Sequence, residues 1–504
     1  MSDVRFGTAG LRAPMGDGPG QFNTALVARA SYGLATYLTE NQILGPVVVG
    51  FDARHGSARF AAEAAAVLRA AGRPTLLMPR ELPTPVLAFA VRQLAAAAGV
   101  MITASHNPAS DNGYKVYLAD GSQIAPPADA AMEAAIAAAP ADVPRSDAPG
   151  ELVREDLVEA YLARTVSLVP ADAPRTSPRV AYTPLHGVAG ATFRQAWERA
   201  GFAPYAEVAE QAAPDPDFPT VAFPNPEEPG ALDLAAATAA RVDADLVLAH
   251  DPDGDRCAVM IRDGDGYRAL TGDEVGALLA EHLLSSGRIP PDGVLATTIV
   301  SSPLLDRIAA AHGRRCVRTL TGFKWLARVP GVAYAYEEAL GYCVDPGGVR
   351  DKDGISAALL IAEMAAAVPL GERLDALAQR YGVHVSAPRS IRTDDPEQAG
   401  TALRRLRDAP PRHLAGVPVD DVQNLSAPGT GLPPTTGVRV TAGAITAVVR
   451  PSGTEPKLKI YLYVSGESPP VHPDRERAGL AEQLELAGRE LCNVLVGMRE
   501  SERG

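Results

Sequence analysis

The chain has 504 residues, which at roughly 150 residues per domain predicts three or four domains. Its 47 Lys and Arg residues against 60 Asp and Glu residues give a formal net charge of −13. An acidic surface repels a phosphate backbone, so nucleic acid is excluded as the expected partner, and a small phosphorylated ligand would need a locally basic pocket or a metal ion.

Cysteine usage and hydropathy indicate the compartment. The four cysteines are too few for a disulfide framework in so long a chain and include no Cys-x-x-Cys pair, which is typical of thiols in a reducing cytosol. Residues 1–10 lack the apolar core of a signal peptide, and no apolar run approaches the 18 residues of a membrane span. We therefore expect a cytoplasmic protein with no membrane partner.

A short apolar run followed by a polar, glycine-rich loop recurs along the chain. We interpret these runs as buried strands, at 47–51, 99–102, 179–182, 246–249 and 294–297. Alanine-rich stretches of helical length lie between them, at 61–71, 231–241 and 304–311. Strands that alternate with helices predict α/β domains with mostly parallel sheets. The polar loops would then lie beyond the carboxyl ends of the strands, where such sheets bind ligands.

Changes in composition suggest where the domains divide. Residues 140–150 are rich in Pro and Asp and have little periodicity, and Gly-Asp-Gly at 264–266 predicts a hairpin turn. In the last part of the chain, the strand-like runs 444–449 and 457–464 flank a loop and are predicted to pair antiparallel. We expect three similar mixed α/β domains and a smaller α+β domain, at 1–150, 151–268, 269–384 and 385–504.

The motif Asp-Pro-Asp-Gly-Asp-Arg at 251–256 is a candidate metal site. The carboxylates of Asp251, Asp253 and Asp255 alternate, and the intervening proline and glycine allow them to converge on one point. Three hard oxygen ligands suit Mg²⁺. An EF-hand calcium loop is excluded, because arginines stand where it needs glycine and glutamate. The alternative is an acidic surface turn, but three carboxylates after an apolar strand would repel one another without a cation.

The motif Thr-Ala-Ser-His-Asn-Pro at 103–108 follows a predicted strand and is a candidate nucleophile loop. Ser105 could act as a nucleophile if a base or a metal lies near, and His106 and Lys115 bring proton-transfer and cationic groups close in sequence. The flanking residues do not form the Gly-x-Ser-x-Gly elbow of esterases. By itself such a motif is more often plain turn chemistry.

Three later loops also carry polar groups. Arg-Pro-Ser-Gly-Thr-Glu-Pro-Lys at 450–457 offers a guanidinium, hydroxyls and a lysine that fit a phosphate dianion, although it could be only a long hairpin loop. Thr-Leu-Thr-Gly-Phe-Lys-Trp lies at 319–325 and Tyr-Glu-Glu-Ala-Leu-Gly-Tyr at 336–342. The paired glutamates could accept hydrogen bonds from sugar hydroxyls, or they could mark an exposed helix start.

Together these motifs resemble the α-D-phosphohexomutase family of phosphoglucomutases and phosphomannomutases. Five motifs occur in the family's order, at 103–108, 251–256, 321–324, 337–341 and 450–456. Phe-Gly-Thr-Ala-Gly-Leu-Arg at 6–12 matches the N-terminal motif that supplies an active-site arginine. The resemblance therefore spans nearly the whole chain, from Arg5 to Lys457.

The resemblance implies an α/β, four-domain architecture around a central cleft, with one loop from each domain. Ser105 would be a phosphoserine, and one Mg²⁺ ion would be held by Ser105, Asp251, Asp253 and Asp255. The remaining roles are implied residue by residue. Around the transferring phosphoryl group stand Arg12, His106, Arg256 and Lys115, the last as general acid/base; sugar contacts come from Thr321, Gly322, Lys324, Glu337 and Glu338; the non-reacting phosphate is bound by Arg450, Ser452, Gly453 and Thr454.

The implied activity is a mutase that interconverts sugar 1-phosphates and 6-phosphates, of glucose or mannose, through a bisphosphorylated intermediate. A sugar bisphosphate would be the activator and a phosphosugar the small-molecule partner of a monomer or homodimer. One departure is Ala339, where hexomutases commonly carry Ser. With Asp-Lys-Asp-Gly at 351–354 it favours the branch that includes phosphopentomutases, so ribose or deoxyribose 1-phosphate is an alternative substrate.

Two other classes remain open from the residues. A phosphomonoesterase could use the same serine and metal, and a non-catalytic protein could only bind sugar phosphates. The second is disfavoured because Ser105, the three aspartates and Lys115 are all intact.

Overall fold

The computed structural model describes residues 10–148, 150–175, 178–393, 396–428, 431–452, 457–466, 470 and 472–497. Within them the strands form one sheet of six, two of five, one of four and one of two. We call each of the four larger sheets, with its neighbouring helices, a unit and number the units along the chain.

The first unit begins from apolar strands such as Val47–Phe51, whose continuous hydrophobic run suits a parallel strand covered on both faces. Its sheet has the order β1-β5-β4-β2-β3-β6. The elements are β1 (Leu11–Pro14), α1 (Thr24–Glu40), β2 (Val47–Phe51), α2 (Ser57–Ala70), β3 (Thr75–Leu77), α3 (Thr84–Gln93), β4 (Ala98–Ile102), β5 (Asp111–Leu118), α4 (Ala128–Ala137) and β6 (Glu151–Leu152).

The second unit has a five-stranded sheet in the order β11-β10-β9-β7-β8. Its elements are α5 (Glu155–Val166), β7 (Val180–Thr183), α6 (Ala189–Ala200), β8 (Ala206–Glu207), α7 (Asp233–Arg241), β9 (Leu246–His250), β10 (Cys257–Asp263) and β11 (Gly266–Ala269). Asp263 pairs with Gly266 across the turn between β10 and β11, which confirms the predicted hairpin.

The third unit has a four-stranded sheet in the order β13-β12-β14-β15. Its elements are α8 (Gly272–Ser285), β12 (Val294–Thr298), α9 (Leu304–Ala311), β13 (Cys316–Thr319), α10 (Phe323–Leu326), β14 (Val332–Glu337), β15 (Gly341–Cys343), α11 (Gly354–Ala367) and α12 (Leu370–Tyr381). Helix α8 starts at a capping box formed by Thr271 and Glu274, and α11 starts at Asp353, whose side chain accepts two backbone N–H bonds.

The fourth unit is built on an antiparallel sheet in the order β16-β22-β21-β20-β19. Its elements are β16 (His384–Arg392), α13 (Pro396–Asp408), β17 (His413–Leu414), β18 (Val417–Pro418), β19 (Asp421–Asn424), β20 (Val438–Ala442), β21 (Ile445–Pro451), β22 (Lys457–Ser465) and α14 (Pro473–Val496). The predicted antiparallel pair is confirmed as β21 and β22.

The first three sheets combine parallel and antiparallel pairings, as predicted for mixed α/β domains, and their antiparallel strands bear on the site. In each, a strand with a parallel neighbour is followed by a loop and an antiparallel strand: β4 to β5, β9 to β10 and β14 to β15. In the fourth unit the strand before the predicted loop, β21, has antiparallel neighbours on both sides. The serine, aspartate and paired-glutamate loops of the first three units therefore share one structural position, the connection from a strand with a parallel neighbour to an antiparallel strand.

The apolar cores show how the units are joined. One buried cluster extends through the first three units, from Val48 through Tyr182 to Leu295, whereas the fourth unit has a core of its own around α14. A smaller apolar cluster that includes Val300 and Tyr461 joins the third and fourth units. Among the described residues no single helix is long and apolar enough to cross a membrane, although the bent pair α11 and α12 together reach that length and composition.

Candidate active site

A cavity of about 580 Å³ lies among the described residues where loops of the four units meet. This volume is in the range expected for a small-molecule site. All four units contribute to its wall, so we call it the cleft. Most of the predicted site residues line it: Arg12, Ser105, His106, Asp255, Arg256, Thr321, Gly322, Glu337, Glu338, Arg450 and Ser452.

Ser105 lies on the loop after β4 in an unusual backbone conformation. Its φ is +56°, a left-handed value that costs a non-glycine residue of the order of 1 kcal/mol. The backbone N–H of Ser105 donates to Thr103 Oγ1 at 2.8 Å, and Thr103 N donates to the carbonyl of Gly113 at 3.0 Å. A Cβ at Gly113 would come within 2.5 Å of the Thr103 carbonyl oxygen, so this close approach requires glycine.

Arg54 holds the loop at 103–108, which we call the serine loop, in place, a role that the sequence did not indicate. Its buried guanidinium donates to the carbonyl oxygens of Ser105 at 2.6 Å, Asn107 at 2.5 Å and Pro108 at 2.7 Å. Its charge is balanced by Asp52, 3.4 Å away. The available signal was Asp-Ala-Arg at the end of β2, because β2 is the parallel neighbour of β4 and their carboxyl ends lie side by side.

The loop between β9 and β10 brings three buried carboxylates together. Asp251, Asp253 and Asp255 each offer an oxygen within 4.8 Å of the others, which is close enough to hold a metal ion. Ser105 Oγ donates to Asp251 Oδ2 at 3.0 Å. The Oδ1 atoms of Asp253 and Asp255 are buried with no hydrogen-bond partner among the described residues. Such orphaned oxygens fit a site whose missing partner is a cation.

Lys115, on β5, balances the charge of this loop. Its Nζ lies 2.6 Å from Asp253 Oδ2 and 3.0 Å from Asp255 Oδ2. Burial alone would lower the pKa of Lys115, but these two carboxylates outweigh it and raise that pKa. Burial would raise the pKa of Asp253, yet Lys115 holds it below its usual range. For Asp251, burial and its two neighbouring carboxylates dominate, and they raise its pKa well above normal.

Three further cationic or basic groups surround Ser105. His106 Nδ1 lies 3.1 Å from Ser105 Oγ, and burial together with Arg256 and Arg12 lowers the pKa of His106 well below normal, so its imidazole is neutral. The backbone N–H of Arg256 donates to Asp251 Oδ1 at 3.0 Å. Arg12 donates to Asn107 Oδ1 at 3.2 Å, while its buried Nε has no hydrogen-bond partner among the described residues. The structure thus gathers the predicted phosphoryl-binding groups around one hydroxyl.

Lys352 is a second residue that sequence reasoning did not place in the site. Its ammonium lies 3.2 Å from Asp255 Oδ2 and 5.4 Å from the centre of the Phe323 ring, and it lines the cleft. A Cβ at Gly341 would come within 2.2 Å of Lys352 Cδ, so the glycine that follows the paired glutamates makes room for this side chain. The signal in the sequence was the Asp-Lys-Asp-Gly motif, which by itself assigns no role to its lysine.

The paired glutamates line the cleft, with Glu337 as the last residue of β14 and Glu338 at the start of the turn to β15. Glu338 Oε2 accepts hydrogen bonds from Thr298 Oγ1 at 3.0 Å and Ser301 Oγ at 3.3 Å. Burial raises the pKa of Glu337, and burial with the neighbouring charges of Glu337 and Asp273 raises the pKa of Glu338 to about 7. A polar ligand in the cleft could therefore contact both carboxyl groups and change their hydrogen bonds.

The raised pKa of Glu338 predicts a pH-dependent stability. The folded carboxyl binds its proton more tightly than an ordinary glutamate of pKa 4.5, so its contribution is complete below pH 4.5 and is lost as pH rises through about 7. We expect Glu338→Gln to raise the thermal midpoint relative to the unchanged chain at pH 8 and to leave it nearly unchanged at pH 4.5. Thermal unfolding at the two pH values measures this. The exposed Glu198→Gln is the control, and equal differences at both pH values would contradict the prediction.

The fourth unit forms one part of the cleft wall. Arg450 and Ser452 line it at the end of β21, with Lys457 and Lys459 on β22 beside them. Lys457 Nζ lies 4.0 Å from Glu228 Oε1 of the second unit. The predicted phosphate ligands Gly453 and Thr454 lie outside the described residues, as do residues 6–9 of the N-terminal motif. This part of the cleft is cationic and could bind a phosphate group.

Lys324 is the predicted sugar-binding residue that the structure places apart from the others. It does not belong to the described lining of the cleft, and its Nζ lies 3.6 Å from Asp129 Oδ2 on α4. Its neighbours Thr321 and Gly322 do face the cleft. In the arrangement described here Lys324 links the third unit to the first, and its contact with sugar stays a prediction.

Thr84, at the start of α3, is a third residue that the sequence did not indicate. Its hydroxyl donates to Asp253 Oδ2 at 2.5 Å and its backbone N–H donates to the carbonyl of Asp253 at 2.9 Å. Lys115 shares the same carboxylate oxygen. Thr84 and Lys115 therefore fix the rotation of this carboxylate and leave Oδ1 to face the space between the three aspartates.

We expect Thr84→Val to weaken metal binding about 10–100-fold, because the isosteric side chain cannot hold the carboxylate of Asp253. Direct calorimetric titration with Mg²⁺ or Mn²⁺ measures the affinity apart from turnover. Thr84→Ser keeps the hydroxyl and should retain near-normal binding. Equal metal affinity of the Val variant and the unchanged chain would show that Thr84 has only a packing role.

The chain matches the family models of three domains described as phosphoglucomutase/phosphomannomutase alpha/beta/alpha domains. Domain I matches residues 3–142, domain II residues 159–264 and domain III residues 271–381. These ranges contain the serine loop, the aspartate loop and the paired glutamates, respectively.

Similar proteins extend over most of the chain. A "probable phosphomannomutase" of Haemophilus influenzae is 41% identical, over 89% of this chain and 94% of that protein. A phosphopentomutase of Mus musculus is 34% identical, over 96% of this chain and 87% of that protein. The crystal structure of a candidate phosphomannomutase from Thermus thermophilus is 25% identical with a TM-score of 0.78, covering 98% of this chain and 99% of that one. The chain thus belongs to the phosphoglucomutase/phosphomannomutase family and is an isomerase of the phospho-sugar mutase type.

Proposed function

We propose that this mutase interconverts hexose 1-phosphates and hexose 6-phosphates, of glucose or mannose, through a phosphoserine at Ser105. One observation carries the proposal. The Ser105 hydroxyl, held at φ +56°, lies 3.0 Å from Asp251 of a triad of buried carboxylates and in the wall of a cleft that the fourth unit lines with cations. A nucleophile and a separate group of cations in one cleft suit a substrate that carries phosphate at either end.

The residues present fit one Mg²⁺ ion, held by Asp251, Asp253, Asp255 and an oxygen of phosphorylated Ser105. The donors are all oxygens, and two of the carboxylates have buried oxygens with no protein partner among the described residues. When bound, the ion would neutralise charge on the transferring phosphoryl group. Lys115 and Lys352 neutralise the remaining carboxylate charge from the other side of the loop.

The protein groups divide the chemistry between binding and proton transfer. Arg12 and Arg256 would bind the phosphoryl oxygens during transfer, with neutral His106 as a hydrogen-bond partner of Ser105 Oγ. As the Oγ–P bond breaks and a sugar O–P bond forms, the attacking sugar hydroxyl loses a proton and Ser105 Oγ gains one. Lys115 would relay this proton: its ammonium gives a proton to Ser105 Oγ and its amine takes up the proton that the sugar hydroxyl loses, so that Lys115 ends the step protonated, as its raised pKa favours. The return transfer runs the same exchange in reverse.

The cycle requires the sugar bisphosphate to turn over so that each phosphate meets Ser105 in sequence. Glu337 and Glu338, with Thr321 and Gly322, would bind the sugar hydroxyls in either orientation, and Arg450, Ser452, Gly453 and Thr454 would bind whichever phosphate is not reacting. A sugar bisphosphate would also be the activator, because it can transfer a phosphoryl group to an unphosphorylated Ser105.

We assign the four loops to domains at 1–150, 151–268, 269–384 and 385–504.

A pentose substrate is the second candidate, and Ala339 is the observation that favours it. Ala339 lines the cleft beside Glu338, and its side chain has no hydroxyl with which to bind a hexose. One similar protein is a phosphopentomutase and another a "probable phosphomannomutase", so the names of relatives do not rank the sugars. The choice between hexose and pentose depends on contacts within this loop.

The deciding experiment compares turnover of glucose 1-phosphate, mannose 1-phosphate and ribose 1-phosphate, each with the matching sugar bisphosphate. We expect kcat/KM to be highest for a hexose phosphate; a higher value for ribose 1-phosphate would assign the pentose activity instead. Ala339→Ser is the matched variant and should shift the ratio further toward hexoses. Free phosphate is measured in parallel, and its release at the rate of isomerisation would make the protein a phosphatase and refute the mutase cycle.

A further inference from the structure

A second cavity, of 490 Å³, lies between the third and fourth units. One wall is formed by the start of α9 and by β13, and the other by strands β20, β21 and β22. The described linings of this cavity and of the cleft have no residue in common. We call it the junction cavity.

The junction cavity is strongly cationic in an acidic protein. Its described lining carries three guanidinium groups, from Arg307, Arg318 and Arg439, against a single carboxylate, that of Asp306. Asp306 is already paired with Arg318 at 2.5 Å. Because the whole chain carries a net charge of −13, three arginines from three separate elements are a local exception of the kind that binds anions.

The arginines are fixed by contacts behind them. Arg307 donates to the carbonyl of Tyr381 at 2.7 Å, and Arg318 donates to the carbonyls of Ser301 and Ser302, each at 2.9 Å. Arg439 donates to Gln423 Oε1 at 3.3 Å. Arg307 and Arg439 are therefore anchored through part of their donor sets, which lowers the entropy that an anion would have to remove on binding. The N–H groups of Arg318 are all engaged, by Asp306 and by the carbonyls of Thr298, Ser301 and Ser302, so Arg318 shapes this wall of the cavity without a free donor.

The opposite wall supplies neutral donors. Thr441 and Thr446 are cross-strand partners on β20 and β21, and Tyr463 is the partner of Thr446 on β22. With Ser465 they put four hydroxyl groups on the face of the sheet that lines the cavity. Hydroxyls together with guanidinium groups match the acceptor-rich oxygens of a phosphorylated ligand.

We infer that the junction cavity binds a small anion with at least two phosphate or comparable acidic groups, at a site separate from the phosphosugar cleft. Arg307 of the third unit would contact it together with Arg439 and the hydroxyls of the fourth, so the ligand would bridge the two units. This arrangement matters because the fourth unit has its own core, and the apolar cluster that joins it to the third unit is small.

Strands β21 and β22 connect the junction cavity to the cleft. Thr446 lies near the start of β21 and Arg450 near its end, about 13 Å apart along the strand. Strand β22 begins at Lys457 in the cleft and ends at Ser465 in the junction cavity. An anion that fixes the two units would thus act on the position of the distal phosphate site, and its effect should fall on KM more than on kcat.

Binding of pyrophosphate, titrated by calorimetry in EDTA so that no metal complex forms, tests the inference on the full chain. We expect the double variant Arg307→Gln/Arg439→Gln to lose at least about tenfold in affinity at one site. Arg450→Gln changes only the cleft and should retain that site. Arg315→Gln removes an exposed charge just before β13 and is the matched control.

Each outcome of this titration either supports or overturns the inference. Retained binding in Arg450→Gln with loss in the double variant supports the inference, as does electron density for pyrophosphate at Arg307 and Arg439 in a soaked crystal. Loss of all binding in Arg450→Gln, or unchanged binding in the double variant, would overturn it. Mutase turnover without added anion should be the same in the double variant and the unchanged chain, which shows that the two arginines are not part of the catalytic site.

Discussion

Replacing Ser105 by alanine is expected to abolish mutase turnover, with kcat lowered at least about 10⁴-fold. The proposed cycle passes every phosphoryl group through Ser105 Oγ, and the hydroxyl faces the carboxylate triad at 3.0 Å. His106 cannot replace it, because its Nδ1 lies farther from the triad, 4.0 Å from Asp251 Oδ2, so a phosphoryl group there would be displaced from the carboxylates. Coupled measurement of glucose 6-phosphate formation, with bisphosphate present, gives the rate.

The fold should tolerate this substitution. Alanine has the same backbone cost at φ +56° as serine, and Asp251 keeps its hydrogen bond from the Arg256 N–H at 3.0 Å. We therefore expect the thermal midpoint to change by a few degrees at most. Ser110→Ala, an exposed serine on the same loop, should retain normal turnover. Turnover of Ser105→Ala within tenfold of the unchanged chain would refute the phosphoserine role.

The sequence predicted the parts of this structure that depend on neighbours along the chain. The apolar run at 47–51 is β2, with the same bounds, because a strand covered on both faces needs only a continuous hydrophobic segment. The glycine-rich hairpin at 264–266 and the pairing of β21 with β22 follow from local turn chemistry in the same way. The resemblance to a family placed the polar loops in order and identified the cleft that they form.

What the sequence did not predict depends on contacts between distant residues. Thr84 and Asp253 are 169 positions apart, and Arg54 reaches the serine loop across 51 residues, so no local pattern links them. Lys352 enters the site only because Gly341 leaves room for its side chain. The mixed α/β character of the first three domains was predicted, but the antiparallel return strand after each loop was not identified individually, because it has the same apolar pattern as a parallel strand.

Lys324 illustrates a limit of assignment by motif. The motif places it one residue after Phe323, which lines the cleft, but α10 begins at that phenylalanine and turns the lysine toward Asp129. Lys352 then provides the cation that lies over the Phe323 ring. A motif fixes where a loop runs, whereas the direction of each side chain depends on the helix that follows.

Removing the metal ion is the second change with a large expected effect. Treatment with EDTA should lower turnover at least about 10³-fold, and added Mg²⁺ should restore it. Without a cation the buried carboxylates are balanced mainly by Lys115 and Lys352, whose contacts lie on Asp253 and Asp255. Asp251, which accepts from Ser105, has a pKa raised by burial and by its two neighbours, so this end of the triad most needs a dication.

Asp251→Asn tests the same site from the protein side. The amide keeps the shape of the side chain, but its single carbonyl oxygen can accept only one of the two hydrogen bonds that Ser105 and Arg256 donate to Asp251, and it contributes no negative charge to a metal. We expect the Mg²⁺ concentration for half-maximal activity to rise by at least about 10-fold and calorimetric Mg²⁺ affinity to fall in parallel. Asp265→Asn, in the exposed hairpin turn of the same unit, is the control for a lost charge and should change neither. Full activity of the Asp251→Asn protein in EDTA would show that the aspartate triad acts without a metal.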